Sequence, residues 1–191
     1  MNILETRKLT DLPYLNLFCT HYEDRHGDPK DWVFASRQDP PRLVSEEWDL
    51  PDAVVIVPYH LDRHQLVIIE EFRVAVGGYQ YGFPAGLVDA GESIEATCRR
   101  ELLEETGLGL RRILRRSPPV LSSSGITDET VAMVFVECDG TPSNQANEGS
   151  EDIRTLFIDR QQAQAICARA DRRMDVKTWI VLSAYVQFGV I

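Results

Sequence analysis

Four cysteines are spread over 191 residues, at Cys19, Cys98, Cys138 and Cys167, and no two of them fall in a CxxC spacing. That scatter argues against a zinc ribbon or a disulfide framework, so the thiols are expected to be reduced and mostly packed. Long apolar runs are missing as well. The densest one, Val176–Phe188, is too short to cross a bilayer. Basic residues are in deficit, 20 Lys and Arg against 30 Asp and Glu, for a formal charge of −10. Such a chain repels nucleic-acid backbones and anionic lipid, so neither is expected as a partner. No internal repeat occurs, and the opening MNILETRKLTDLPYL has none of the features of a signal peptide, so a cytosolic setting is expected.

What remains is an ordinary globular composition, 43% hydrophobic, enough to bury a core. Residues 13–23 and 32–37 read as an N-terminal antiparallel hairpin around the turn-rich DRHGDPKD. Pro40-Pro41 opens a loose linker. Strands follow at 53–59 and 65–73, with a turn at 61–64 between them, and later at 130–138 and 153–158. The histidines at 21, 26, 60 and 64 are placed as solvated turn residues, since no third metal ligand accompanies them. The basic pairs of residues 110–121 read as a solvated strand or turn face, and residues 140–152 as a long acidic loop. Residues 161–170 and 176–188 read as helices. The pattern predicts an α+β fold with residues 1–45 as the hairpin element and 46–191 as the main domain.

Chemistry concentrates in Gly86–Leu108, GLVDAGESIEATCRRELLEETGL. Ser93 is a good N-cap and Gly107 a good residue just past a C-terminus, which predicts a helix over 94–106. Ile94, Cys98 and Leu102 form its apolar stripe. Glu101, Glu104 and Glu105 stand at i, i+3 and i+4, so three carboxylates crowd one face. Two such groups about 5 Å apart repel by roughly 3 kcal/mol at an effective dielectric of 20. A divalent cation would relieve that repulsion, and so would full solvation. The carboxylates alone leave both readings open.

The spacing of the whole stretch resembles the Nudix box, G-x5-E-x7-R-E-U-x-E-E-x-G-U, with U aliphatic. Gly86, Glu92, Arg100, Glu101, Leu102, Glu104, Glu105, Gly107 and Leu108 satisfy every fixed position. The resemblance implies an α/β/α sandwich with mixed sheets and hydrolysis of a nucleoside diphosphate linked to another moiety. It implies Mg2+, or alternatively Mn2+, held by Glu101 and Glu105 with Glu104 in support and the backbone carbonyl of Ala85 completing the set. Gly86, Glu92, Arg100 and Gly107 would then serve the architecture of the box.

Further features are similar to the ADP-ribose and nucleotide-sugar pyrophosphatase branch: Phe72-Arg73 before the box, Pro84-Ala85-Gly86-Leu87 at its start, and Glu151-Asp152-Ile153 after the acidic loop. By this resemblance Arg73 contacts a substrate phosphate, although a surface salt bridge suits the same residue. Glu151, with Glu148 in reserve, becomes an additional metal ligand or catalytic base beside Glu105, although a solvated loop carboxylate also suits Glu148. Trp32 and Arg37 become substrate contacts, Trp32 by stacking on a base or else as a packed tryptophan. The branch is generally dimeric, so a homodimer acting on a nucleoside diphosphate sugar is expected. Two positions depart from the ADP-ribose pattern: Gly82 stands where a glutamate is usual and Ser124 where a proline is usual. Other readings within the superfamily are a dinucleotide (NADH or diadenosine polyphosphate) pyrophosphatase and a non-catalytic sensor of nucleotide sugars.

Overall fold

The structure, a computed structural model, describes residues 1–42, 48–147, 149–169, 171 and 173–191. In chain order the first elements are β1 (Asn2–Lys8), β2 (Asn16–Glu23), β3 (Pro29–Ser36), β4 (Ala53–His60), β5 (Gln65–Arg73), β6 (Gly78–Gly82) and β7 (Ala85–Leu87). They are followed by α1 (Ile94–Thr106), β8 (Gly109–Arg116), β9 (Val120–Leu121), β10 (Thr130–Asp139), β11 (Ile153–Ile158), α2 (Arg160–Cys167) and α3 (Val176–Phe188). Contacts divide the chain into two compact units, Met1–Asp52 with Pro119–Val131, and Ala53–Pro118 with Ala132–Ile191.

The first unit carries an antiparallel sheet in the order β1-β2-β3. Its β2–β3 turn is fixed by the Asp24 carboxylate, which accepts from the backbone N–H of His26 at 2.8 Å and of Asp28 at 3.1 Å. The expected hairpin is therefore present, and β1 adds a strand on the outside of β2 that alternation does not announce. All of its residues are exposed, so NILETRK had no buried face to pattern. The 122–129 loop is tied into the same unit: Ser36 donates to Asp128 at 2.8 Å, and the Asp52 carboxylate accepts from the Thr130 N–H at 2.8 Å and pairs with Arg42 at 3.0 Å.

In the second unit the strand order is β11-β5-β4-β10-β8. Strands β4 and β5 pair at their hairpin end, Tyr59↔Leu66 and His60↔Gln65. Beyond it β6 follows β5 (Ile69↔Gly82 to Arg73↔Gly78), while β7 follows β4 (Ala53↔Leu87 to Val55↔Ala85). The β6–β7 corner thus enters where β4 and β5 separate, and it carries Pro84-Ala85-Gly86 there. Both faces of β4 and β5 are buried, which explains their unbroken apolar runs. Val54, Ile56 and Val67 join Ile94, Cys98, Leu102, Leu108 and Val134 in one core under α1. Helices α2 and α3 pack on each other. Burial, and next the neighbouring Tyr59 of β4, raise the Tyr185 phenol of α3.

Helix α1 starts and stops where its caps dictate. Ser93 accepts from the Ala96 N–H, and Gly107 sits in the left-handed region at φ 73 with its N–H on the Leu103 carbonyl. Gly107 is doubly constrained, because a Cβ there would lie 2.5 Å from the Ser143 nitrogen, whose N–H donates to the Thr106 carbonyl at 2.9 Å. Three of the four arginines of β8 find partners across the strand pair: Arg112 contacts Glu137 at 2.8 Å, Arg111 pairs with Asp139, and Arg115 lies over the Phe135 ring. Two histidines depart from their expected places: His21 lies within β2, where its Nδ1 is 2.8 Å from Asp31 Oδ1, and His60 lies in the core. His60 is buried at 2% exposure, wedged by its hydrogen bond with the Gly140 carbonyl and by its edge contact with Phe157. The α2 helix ends at Cys167, short of the expected boundary. The cysteines are free thiols, and three of the four are buried.

Leu102 is fully buried at the centre of the α1 core. Leu102→Ala should lower the unfolding free energy by about 2–5 kcal/mol, measured by denaturant titration, because the helix–sheet packing cannot close on the vacated volume.

Candidate functional site

The site lies in the second unit, at the separation of β4 and β5, and is built from three sources of carboxylate. Helix α1 supplies Glu101 and Glu105, one turn apart on the face turned to β7. Both are buried, at 8% and 4% exposure, while Glu104 is half-exposed. Strand β5 supplies Glu71, also buried at 8%. The third source is Glu151, at the end of the acidic loop. Its position is set by the neighbouring residue: the Asp152 carbonyl accepts from the Phe72 N–H at 3.0 Å, and the Asp152 carboxylate accepts from the Tyr79 hydroxyl. The next residue, Ile153, pairs with Glu71 across β11 and β5.

Local packing is organised by Arg100. Its guanidinium contacts Glu92 at 2.9 Å and Glu101 at 2.6 Å, and it reaches Glu104 at 3.2 Å and the Leu87 carbonyl at 3.1 Å. One side chain thereby joins α1 to β7 and to the loop before the helix. Glu92 also accepts from the buried Thr97 hydroxyl at 2.8 Å. The hydrogen bonds from Arg100, foremost, hold its carboxyl at about 2. Gly86 leaves the space that Glu101 fills: a Cβ at residue 86 would stand 1.8 Å from Glu101 Oε1. Only glycine lets the carboxylate lie against the β7 backbone.

Glu105 is in the opposite situation from Glu92. Its carboxylate accepts from the Ala85 N–H at 3.1 Å. Burial first, and then the negative charges of Glu101, Glu71 and Glu151, push its carboxyl from 4.5 up to about 9. Glu101 and Glu71 are also raised, in each case mainly by burial, against the pull of Arg100 and Arg73 respectively. This set of hard oxygen donors carries more negative charge than its two arginines offset. Such a set suits a small divalent cation, with the Ala85 carbonyl close by on the backbone segment that already touches Glu105. Among the described residues, no three acidic or imidazole side chains are drawn together at metal-holding distances, since Glu101 is turned to Arg100 and Glu105 to Ala85.

The residues expected to contact substrate are placed as follows. Arg73, at the end of β5, pairs through Nε with Glu71 at 2.8 Å and is half-exposed. The salt bridge thus exists and stands beside the carboxylates. Trp32 and Arg37 belong to the first unit. Trp32 is half-exposed and lines an apolar cavity of about 420 Å3 with Tyr22, Phe34, Trp48 and Ser124. Arg37 contacts Glu129 through Nε at 3.1 Å. Glu148 lies outside the described residues. The residue that the sequence reading missed is Glu71. Its signal was a carboxylate at a buried position of an otherwise apolar strand, QLVIIEEFR.

The raised carboxyl of Glu105 has a consequence for stability. A group whose folded-state pKa lies above its unfolded value stabilises the fold while protonated. Its contribution is complete below about pH 4.5 and is lost as the pH climbs to about 9. At pH 7 and without divalent cations, Glu105 is ionised in the unfolded chain and must take up a proton on folding, which should cost on the order of 3 kcal/mol, at about 1.4 kcal/mol per pKa unit. Glu105→Gln, which keeps an acceptor for the Ala85 N–H, should therefore raise the melting temperature in chelator at pH 7. It should also flatten the decline between pH 5 and pH 9, read by thermal unfolding.

Comparisons with known proteins agree with this geometry. The NUDIX domain matches residues 49–177. An ADP-ribose pyrophosphatase of Saccharomyces cerevisiae is 32% identical over 148 residues, covering 75% of this chain and 62% of that protein. An ADP-ribose pyrophosphatase of Escherichia coli is 34% identical over 122 residues, covering 58% of this chain and 56% of its own length. The chain thus spans about six-tenths of the length of these relatives. Among solved structures, one described as an ADP compounds hydrolase superposes with a TM-score of 0.69 at 20% identity, covering 98% of this chain and 95% of that one. That superposition bears on the fold. The domain match, which takes in the carboxylates of α1, the clamp around Arg100 and the glycine beneath Glu101, places the chain in the Nudix family.

Proposed function

We propose that this protein is a metal-dependent pyrophosphohydrolase acting, as a cytosolic homodimer, on ADP-ribose or a related nucleoside diphosphate sugar. The products would be a nucleoside monophosphate and a sugar phosphate. The observation that carries the reading is the pair of buried carboxylates on α1, Glu101 and Glu105, set against the backbone of Ala85 and Gly86 with a surplus of negative charge. The names of the relatives, ADP-ribose pyrophosphatases of yeast and bacterial origin, support the substrate class.

In this reading Glu101, Glu105 and the Ala85 carbonyl hold Mg2+ or Mn2+, with Glu104 and Glu151 in support. A cation bound there supplies positive charge against the phosphate oxygens and acidifies a bound water. The chain's own groups do the rest. Arg100 holds the box together through Glu92 and the Leu87 carbonyl, and its contact with Glu101 keeps that carboxylate at the β7 backbone. Arg73, half-exposed beside the carboxylates, contacts a substrate phosphate. Glu151 accepts the proton of the water that attacks one phosphorus. The bond between that phosphorus and the bridging oxygen breaks, and the bridging oxygen leaves on the other phosphate. Within the first unit, Trp32 offers a ring for a base. Ser124, at one of the two positions that depart from the ADP-ribose pattern, lines the same cavity. Arg37 is assigned as a further contact of that unit with the substrate.

The test is a panel of ADP-ribose, ADP-glucose, GDP-mannose, UDP-glucose, NADH and diadenosine polyphosphates, each with Mg2+, with Mn2+ and with chelator, the products being separated by chromatography. Metal-dependent release of a nucleoside monophosphate from a diphosphate sugar is expected. Tight binding of one compound without turnover of any would overturn the enzymatic reading in favour of a sensor. Glu151→Gln should lower kcat by about 100-fold or more while leaving substrate affinity within a fewfold of wild type. Turnover equal to wild type would remove Glu151 from the mechanism.

A further inference from the structure

Of the buried ionisable groups at the site, Glu71 alone is outside the Nudix box and outside the acidic loop, and none of the roles assigned above uses it. Glu71 stands between charges of opposite sign. On one side stands Arg73, whose Nε lies 2.8 Å from Glu71 Oε2. On the other stand Glu151, whose charge acts on Glu71, and Glu105, whose carboxyl Glu71 itself helps to raise. Strand geometry makes the first contact local, because residues i and i+2 of β5 project from the same face. Strand pairing makes it rigid: Glu71 is held in register by Ile153 of β11 and Gln80 of β6, and Arg73 by Gly78 of β6. The two side chains differ in exposure. That of Glu71 is 11% exposed and that of Arg73 is 47% exposed, so a buried anchor carries a cation that reaches solvent.

The atoms used are informative. Arg73 meets Glu71 through Nε, which leaves the terminal Nη1–Nη2 edge of the guanidinium for an incoming oxyanion in the paired geometry that arginine makes with phosphate. A long side chain at a strand end loses rotamer freedom when it binds a ligand, and a fixed carboxylate at its root bears part of that cost beforehand. We infer that Glu71 is a positioning residue, whose carboxylate fixes Arg73 at the carboxylate cluster so that its Nη edge meets a phosphate of a nucleoside diphosphate substrate. The inference rests on the assignment of Arg73 under the proposed function. It differs from a cation-holding role for Glu71, because the effect of Glu71 on substrate passes entirely through Arg73.

The experiment is a double-mutant cycle on equilibrium binding of ADP-ribose carrying a methylene group in place of the bridging oxygen, which cannot be hydrolysed at the diphosphate. Binding is measured by calorimetry with saturating Mg2+, and Mg2+ binding is measured separately in the absence of nucleotide. Glu71→Leu, close in volume and fit for a buried position, should weaken analogue binding about tenfold, as Arg73→Ala should. The double variant should be no weaker than Arg73→Ala alone. Glu71→Gln, which keeps an acceptor for the Nε–H, should stay within about threefold of wild type. Additive losses in the double variant, or equal losses for Glu71→Gln and Glu71→Leu, would overturn the inference, as would a tenfold fall in Mg2+ affinity with analogue binding otherwise intact. Failure of the wild-type protein to bind the analogue at all would overturn the proposed function and this inference with it. Wild-type binding that Glu71→Leu leaves unchanged would overturn the inference alone.

Discussion

Negative charge held out of water is the constraint around which this structure is arranged. Glu71, Glu101 and Glu105 are each below a tenth exposed, and Glu151 stands near enough to act on all of them. Ionised carboxylates in such surroundings cost several kcal/mol apiece unless something offsets them. Arg100 offsets Glu101 and Arg73 offsets Glu71, but Glu105 has a backbone amide and a raised pKa instead. A buried carboxyl with no cationic side chain of its own is what distinguishes this face from an acidic helix surface that water alone would stabilise. A fold selected for stability alone would have a leucine or glutamine there, and a carboxyl that gives up its proton at ordinary pH only to a bound cation is the physical reason for reading the site as one that takes a cation.

The rest of the second unit can be understood as the means of holding those charges still. The caps at Ser93 and Gly107 set the phase of α1, and the Ile94–Cys98–Leu102 stripe fastens it to the sheet. The separation of β4 from β5 admits the β6–β7 corner, which brings the Ala85 amide to Glu105 and the bare Gly86 backbone to Glu101. Arg100 then ties helix, strand and preceding loop together with contacts no other residue type could make at once. Neutralising Glu92 is its structural task. Its contacts with Glu101 and Glu104 are the points at which that clamp touches the carboxylates proposed for chemistry.

Much of this was legible in the sequence, and the reasons are local. Helix α1 was readable to the residue because its caps and its stripe agree, and β5 and β11 because each is a bounded run of strand-forming residues. The roles of Gly86 and Arg100 needed the pattern of the box. Other features left no local signal. Strand β1 buries nothing and so shows no alternation. His60 stands at the end of a strand beside a turn, where solvation is the ordinary outcome. It is buried only because the Gly140 carbonyl and the Phe157 ring, 80 or more residues away, close over it. The pairing of Glu71 with Arg73 was within reach of strand periodicity. Its proximity to Glu105 and Glu151 was not, because that depends on how β5, α1 and the end of the acidic loop converge.

That convergence also bears on substrate choice. The groups proposed to meet phosphate, Arg73 and the carboxylates of α1, sit on regular elements, β5 being fixed in register by pairing on both sides, so in that role they would be poorly placed to discriminate one sugar or base from another. Discrimination has to come from groups set on less constrained backbone. Ser124 is such a group: it stands in a loop, and it shares an apolar cavity with Trp32 in the first unit. A hydroxyl at this position adds a donor and an acceptor to a wall that also carries Arg42, Thr127 and Asp128, where a proline ring would have offered only a rigid surface. A ligand that covers the exposed Ser124 hydroxyl must replace its hydrogen bonds to water, a demand that a proline would not make. Under the proposed function, Ser124 is therefore the departure from the ADP-ribose pattern to weigh first when one diphosphate sugar is preferred over another, while the class of reaction rests on the carboxylates of α1.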